Sequence, residues 1–84
     1  MLRLRFFASI REQLGRASFE LPFAAQCGDV ESLIAHLDGG ELPGCGAWLR
    51  APSTLVAVNR VVSDRGAALA DGDEIAFYPP VTGG

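Results

Sequence analysis

The residues of this sequence best suited to a chemical reaction are the last two, Gly83 and Gly84. Glycine has no Cβ, so a tip made of two glycines passes through a channel too narrow for any other residue. Such a tip presents one reactive group, the carboxylate of Gly84. This carboxylate is a poor acyl donor until another enzyme activates it, most simply with ATP as an acyl-adenylate. A sulfur nucleophile then yields a thiocarboxylate, and an amine yields an amide conjugate. A truncated chain or a tag scar is the alternative origin of two such glycines.

The segment before these glycines is predicted to be stiff and extended. It consists of Pro79, Pro80, Val81 and Thr82. The two prolines fix φ at about −65°, and the two β-branched residues prefer an extended backbone. The sequence therefore predicts a folded domain over residues 1–78 and an extended C-terminal tail over residues 79–84.

Other residues that could carry chemistry do not form a recognisable set. Cys27 and Cys45 lack the spacing of a metal-binding pair and have no His/Cys cluster nearby, so no metal site is predicted. We expect both to be ordinary reduced thiols. His36 is the single histidine and falls on the solvated side of the one clear helix, so no Ser/His/Asp or Cys/His set can be assembled. No phosphate-binding glycine pattern is present, and no bound cofactor is predicted.

Length and composition limit the class of protein. The 84 residues form one domain, and 49% hydrophobic with 20% charged residues is typical of a globular chain. The net charge of −3 argues against nucleic acid as a partner. No apolar run resembles a membrane span or a signal peptide, so we expect a cytoplasmic protein without a membrane partner. All basic residues are arginines, so no lysine is available for self-conjugation.

Two alternating strands at the ends of the domain are predicted to present aromatic residues to solvent. Segment 2–8 places Phe7 on the face of two arginines, not on the apolar face. Segment 74–78 likewise places Tyr78 on the face of a glutamate. If the two strands are neighbours, Phe7 and Tyr78 lie close together as an exposed patch, which typically marks an interface anchored by aromatic residues. Two singly exposed aromatics, which need no explanation, are the alternative.

One amphipathic helix is predicted in the middle of the chain. Asp29 is a good N-cap. The apolar stripe after it follows the spacing i, i+3, i+4, i+7 and consists of Val30, Leu33, Ile34 and Leu37. Gly39 and Gly40 end the helix. Residues 41–53 are rich in glycine and proline, and Trp48–Leu49 is predicted to anchor a short turn or helix onto the core.

The order of elements predicts the fold class. A turn or short helix over 9–15 follows the first strand, and a second strand covers 17–21. After the helix, a strand over 55–58 turns at Asn59–Arg60 into a short strand at Val61–Val62. A helix on one face of a small mixed sheet is an α+β two-layer domain. The economical arrangement of these elements is a ubiquitin-like β-grasp.

Several segments resemble one family, that of the molybdopterin synthase small subunit. The stretch 69–84, LADGDEIAFYPPVTGG, closely resembles the C-terminus of that family. The segments 57–59 and 6–8, with Arg11-Glu12 and Gly15, are also similar to it. The resemblance covers the whole chain. Tyr78 stands where the family often has phenylalanine, and Val62 where larger aliphatic residues occur.

The resemblance implies a sulfur carrier of molybdenum cofactor biosynthesis. An adenylyltransferase similar to ubiquitin-activating enzyme would use ATP to adenylate Gly84, and a sulfur donor would convert it to a thiocarboxylate. The tail would insert into the large synthase subunit and give its sulfur to cyclic pyranopterin monophosphate. This chain would then be a sulfur-donating subunit of a sulfurtransferase complex. The resemblance also implies an apolar face that contacts both partners, with matching positions at Phe7, Val62 and Tyr78, and with Arg11 near the same surface.

Two other functions stay open. The first is a ubiquitin-like protein modifier, or a carrier for another thiolation pathway such as tRNA, thiamine or cysteine synthesis, because adenylation and thiocarboxylation serve these as well. The second is a plain interaction domain in which the glycines have no role. A lysine adduct on another protein favours the modifier, whereas genomic pairing with a large-subunit partner favours the synthase subunit.

Overall fold

The computed structural model describes residues 1–79. The predicted reactive group on Gly84 and the predicted insertion residues Pro80, Val81, Thr82 and Gly83 lie outside the described residues. Pro79, the first residue of the predicted tail, is described and is half-buried directly after the last strand.

A five-stranded mixed sheet forms one layer of the domain, in the order β2-β1-β5-β3-β4. The strands are β1 (Leu2–Phe6), β2 (Ser18–Leu21), β3 (Leu55–Val58), β4 (Val61–Ser63) and β5 (Glu74–Tyr78). The two terminal strands, β1 and β5, are parallel neighbours, and the other pairs are antiparallel. The predicted strands and their mixed arrangement are confirmed.

The helices form the second layer. They are α1 (Ala8–Leu14), α2 (Val30–Asp38) and the single turn α3 (Gly46–Leu49), with a 3-10 turn at Ala25–Cys27. Asp29 caps α2 as predicted, because its carboxylate accepts a hydrogen bond of 2.7 Å from the N–H of Ser32. That hydrogen bond also lowers the pKa of Asp29. The element order and the helix packed on one face confirm the predicted ubiquitin-like β-grasp.

The core lies between α2 and the face of the sheet that we call the inner face. Every second residue of β1 and β5 points into it, so that Phe6 and Phe77 are 2% and 0% exposed. Their ring centroids are 5.9 Å apart. The whole predicted stripe of α2 is 0% exposed: Val30, Leu33, Ile34 and Leu37. Burial of this size supplies most of the stabilisation of a small domain.

The prediction that Trp48 helps to anchor the middle segment is wrong. Leu49 is buried, but Trp48 is 43% exposed, and the other anchors of this segment are Leu42 and Cys45. The reason is geometric: α3 is one turn long, and adjacent residues of a helix point about 100° apart, so only one of the two faces the core. Outside the core, Arg50 at the end of α3 pairs with Glu31 of α2.

Candidate partner-binding surface

The sheet face opposite α2, which we call the outer face, carries the predicted aromatic pair. The parallel register of β1 and β5 places Phe6 beside Phe77, so the next residues, Phe7 and Tyr78, meet on the other face. Their rings stack with centroids 4.6 Å apart and planes inclined by 5°. Tyr78 is 36% exposed. The prediction that these two aromatics lie together on the solvent side is confirmed.

A third residue, Leu55, extends this surface and was not predicted. The antiparallel register of β3 and β5 pairs Leu55 with Tyr78, and the leucine is 44% exposed. Its neighbour Val56 is buried on the inner face. The sequence of β3 is apolar throughout and does not indicate which of its residues point outward, and the pairing of Leu55 with Tyr78 depends on a strand register that composition does not reveal.

Val62 lies on the same face at the edge of the sheet. It pairs with Ala57 on β3, which in turn pairs with Ala76 on β5. Val62 is 73% exposed. Strand β3 lies between it and Tyr78 of the aromatic pair. We call the six residues on this face together the apolar patch: Phe7, Leu55, Ala57, Val62, Ala76 and Tyr78. Ala57 and Ala76 point to this face but are only 4% and 6% exposed.

The backbone of Arg11, on α1, lies next to Phe7 of the patch. The carbonyl of Phe7 accepts the N–H groups of Ile10 and Arg11, at 3.1 and 3.4 Å, so Arg11 lies one helical turn beyond Phe7 and is exposed. The chain changes direction between them at Ala8, which has a φ of 51°. A left-handed backbone is unfavourable for alanine, so the entry into α1 is strained immediately after Phe7.

One charged residue borders the aromatic pair. The guanidinium carbon of Arg5 lies 5.5 Å from the centre of the Phe7 ring, a cation–π contact. Arg5 also lies 4.0 Å from a carboxylate oxygen of Glu74 on the neighbouring strand. On the side of β1, Arg5 and Glu74 therefore form a charged border of the patch.

The cysteines and the histidine do not form a reactive centre. Cys27 and Cys45 are both free and buried. Burial raises the pKa of both thiols, that of Cys45 to about 11, with the carboxylate of Asp38 adding to the effect at Cys45. Both therefore stay protonated at neutral pH and are poor nucleophiles. His36 is exposed on α2.

A metal site and a membrane-spanning helix are the other functional features to consider among residues 1–79. Within this part of the chain, no group of three or more His, Cys, Asp or Glu side chains could hold a metal ion. None of the helices formed by these residues is long and apolar enough to cross a bilayer. What the described residues offer for function is therefore the apolar patch, and the predicted reactive carboxylate lies outside them.

Comparison with known proteins gives consistent full-length similarities. The model of the ThiS family matches residues 4–84. The chain is 38% identical over 84 residues to the molybdopterin synthase sulfur carrier subunit of Escherichia coli, with 100% of both chains covered. Among solved structures, SAMP1 of Haloferax volcanii superposes with a TM-score of 0.81 at 25% identity, covering 99% of this chain and 98% of that one.

A further solved structure contains two different subunits. It is the complex of subunits 1 and 2 of the molybdopterin-converting factor of Helicobacter pylori. One of its chains superposes on this chain with a TM-score of 0.67 at 31% identity, covering 99% of this chain and 97% of that one.

Proposed function

The chain belongs to the ThiS family, and we propose that it is the sulfur-carrier subunit of a molybdopterin synthase. The full-length similarity to the sulfur carrier subunit of Escherichia coli supports this assignment. In this proposal the folded domain binds partner proteins, and the C-terminal carboxylate carries the sulfur.

The observation that carries the proposal is the position of the apolar patch at the base of the tail. Tyr78 is both a member of the patch and the last residue of β5, and Pro79 follows it directly. A partner that covers Phe7 and Tyr78 therefore also holds the point from which the tail leaves the domain. Aromatic residues of this kind are the usual anchors of an interface.

The proposed partner in sulfur transfer is the large subunit of the synthase. The Helicobacter pylori complex joins two subunits of a molybdopterin-converting factor, which supports a two-subunit assembly here. We propose that Phe7, Val62 and Tyr78 contact the large subunit, with Arg11 at the border. Residues 79–83 would then insert into it and deliver Gly84 to the substrate.

The proposed chemistry begins on a second partner, an adenylyltransferase similar to ubiquitin-activating enzyme. It attaches AMP from ATP to the carboxylate of Gly84 and releases pyrophosphate. A sulfur nucleophile then displaces AMP and leaves a thiocarboxylate. In the large subunit this sulfur passes to cyclic pyranopterin monophosphate, and the carboxylate of Gly84 is regenerated. ATP is used by the adenylyltransferase, so the proposal requires no cofactor bound to this chain.

A second candidate function is that of a ubiquitin-like protein modifier or a carrier for another thiolation pathway. The superposition on SAMP1, small archaeal modifier protein 1 of Haloferax volcanii, favours the modifier, since the match covers almost all of both chains. Both functions use the same activation step and differ in the acceptor. In the synthase, sulfur accepts the activated acyl group of Gly84 and is then transferred to a pterin. In a modifier, a lysine amine accepts the acyl group.

The experiment that tests the proposal is a reconstitution from purified adenylyltransferase, ATP and a sulfur source. Mass spectrometry should show the exchange of one oxygen for sulfur at the C-terminus, and addition of the large subunit with the pterin substrate should consume the product. Failure to form the thiocarboxylate contradicts the carrier function. A lysine adduct on another protein, without consumption by the large subunit, supports the modifier instead.

Deletion of Gly84 is the matched control for this reconstitution. It should abolish sulfur transfer and leave thermal unfolding unchanged, because a terminal residue contributes little buried surface. A large loss of stability in this variant would show that the tail has a structural role.

A further inference from the structure

We infer that the partner surface that covers the apolar patch carries carboxylates beside its apolar centre, and that charge orients this chain before contact. The inference rests on the proposed function, since it describes the surface of the partner proposed there. It follows from an uneven distribution of charge between the two sides of the domain.

The helix side of the domain is negative. Its carboxylates belong to α2 and to the segments packed around it: Asp29, Glu31, Asp38, Glu41 and Asp64. Next to α2 the arginines are Arg50 and Arg65, and both pair with Glu31, at 2.5 and 3.6 Å. Arg11 of α1 is balanced by the neighbouring Glu12. These cations are therefore engaged, and carboxylates outnumber them.

The outer face of the sheet has the opposite excess. Arg3 and Arg5 project from β1 on this face, because they alternate with Leu2, Leu4 and Phe6, which are buried on the inner face. Arg60, in the turn between β3 and β4, lines a shallow recess of about 190 Å³ together with Arg3 and Glu74. The strands of this face carry two carboxylates, Glu20 and Glu74, which flank Arg3 in register. The three arginines outnumber them by one. Only Arg5 among the three lies within 4.0 Å of a carboxylate oxygen in the part of the chain described.

The arginines adjoin the apolar patch. Arg5 pairs in register with Ala76 of the patch and lies against Phe7. Arg3 follows two residues away on the same strand, a distance of about 7 Å. A standard interface covers about 800 Å² on each partner, which is enough to include the patch and these cations together.

This arrangement favours a protein partner with local carboxylates over a uniformly charged polymer. The net charge of −3 repels an extended polyanion. A carboxylate-bearing patch on a protein attracts the outer face and repels the helix side, so the domain is turned with its patch toward the partner. Charges at the rim of an interface act mainly on the association rate, and salt screens them.

The test measures association rates of the full chain with the purified large subunit at low and high salt. The variant Arg3→Gln/Arg60→Gln removes two charges from the outer face. The matched control Gln26→Glu/Ala35→Glu changes the net charge equally on the helix side, where both residues are exposed. Circular dichroism checks that both variants are folded.

We expect the outer-face variant to associate about three- to tenfold more slowly at low salt, where the Debye length is about 30 Å, and at the wild-type rate in 1 M salt. The control should slow association by about twofold or less. Equal effects of the two variants, or a wild-type rate for the outer-face variant at low salt, overturn the inference and leave the proposed function intact.

If the wild-type chain does not bind the large subunit, a second measurement separates failure of the proposed partner from failure of the inference. The same rates are then measured with the adenylyltransferase, the second proposed partner. A slower, salt-sensitive association of the outer-face variant alone supports the inference for that partner and contradicts the proposed large subunit. Absence of binding to either protein overturns both proposals.

Discussion

Two aromatic pairs join the same two strands and lie on opposite faces of the sheet. Phe6 and Phe77 are buried on the inner face with ring centroids 5.9 Å apart. One residue further along each strand, Phe7 and Tyr78 stack at 4.6 Å on the outer face. Strand side chains alternate between faces, so a single step along β1 and β5 moves an aromatic pair from the core to the surface. Aromatic residues in one register can thus serve folding on one face and recognition on the other.

The two pairs also differ in what surrounds them. The inner pair is covered by α2, whose apolar stripe is fully buried. The outer pair is bordered by Leu55 and by the charged Arg5, and Tyr78 keeps about a third of its surface exposed. Loss of an inner ring should therefore leave a cavity, whereas loss of an outer ring should leave a surface that water fills. Substitutions on each face, and at Ala8 next to the outer pair, should reveal this difference.

The largest expected effect is on folding, at Phe77. We expect Phe77→Ala to lower the free energy of unfolding by about 3–5 kcal/mol, because the ring is fully buried and a cavity would remain. The matched variant on the next residue, Tyr78→Ala, should cost about 1 kcal/mol or less. Urea denaturation followed by circular dichroism measures both. Similar losses in the two variants would show that the outer pair is part of the core and would remove the distinction between the faces.

The second effect is on binding, at Phe7. We expect Phe7→Glu to weaken binding to the large subunit by at least about 2 kcal/mol, roughly thirtyfold, because it places a charge in the centre of the proposed interface. Its free energy of unfolding should change by about 1 kcal/mol or less. Isothermal titration calorimetry measures the first quantity and urea denaturation the second.

The control for Phe7 is Phe23→Glu. Phe23 is 37% exposed, close to the value for Tyr78, but it follows β2 and lies outside the apolar patch. The control should bind with the wild-type affinity. Equal weakening by both substitutions would mean that charge anywhere on the surface reduces binding, and unfolding of Phe7→Glu would mean that Phe7 belongs to the core.

The comparison also shows how far the sequence predicts this molecule. Alternation alone placed Phe7 and Tyr78 on the solvent face, because the period of a strand is visible in a single segment. The N-cap at Asp29 is predictable for the same reason, because its side chain bonds the N–H of Ser32 only three residues away. Leu55 was missed because its partnership with Tyr78 is a property of two strands in register. Trp48 was assigned wrongly because the single turn of α3 is too short to show a helical period.

The third effect is on the backbone at the first residue of α1, directly after Phe7 of the outer pair. Ala8 follows Phe7 with a φ of 51°. We expect Ala8→Gly to raise the free energy of unfolding by about 0.5 kcal/mol, because relief of the left-handed strain exceeds the greater entropy of glycine in the unfolded chain. Urea denaturation again gives the value, and Ala35→Gly, in the middle of α2, is the control and should be destabilising. A loss of stability in Ala8→Gly would show that the entry into α1 is unstrained.

The smallest expected effect concerns the one polar atom of the outer pair, the hydroxyl of Tyr78. The inner pair, made of two phenylalanines, has no such atom. Transfer of a hydroxyl from water into an interface is unfavourable unless the partner supplies a hydrogen bond. We therefore expect Tyr78→Phe to bind the large subunit about twofold more tightly, roughly 0.4 kcal/mol, and to change the free energy of unfolding by less than that amount. Isothermal titration calorimetry of the wild-type chain and of Tyr78→Phe with the large subunit measures the difference in affinity. Weaker binding of Tyr78→Phe would show that the partner forms a hydrogen bond with the hydroxyl, and the two aromatic pairs would then differ in chemistry as well as in exposure.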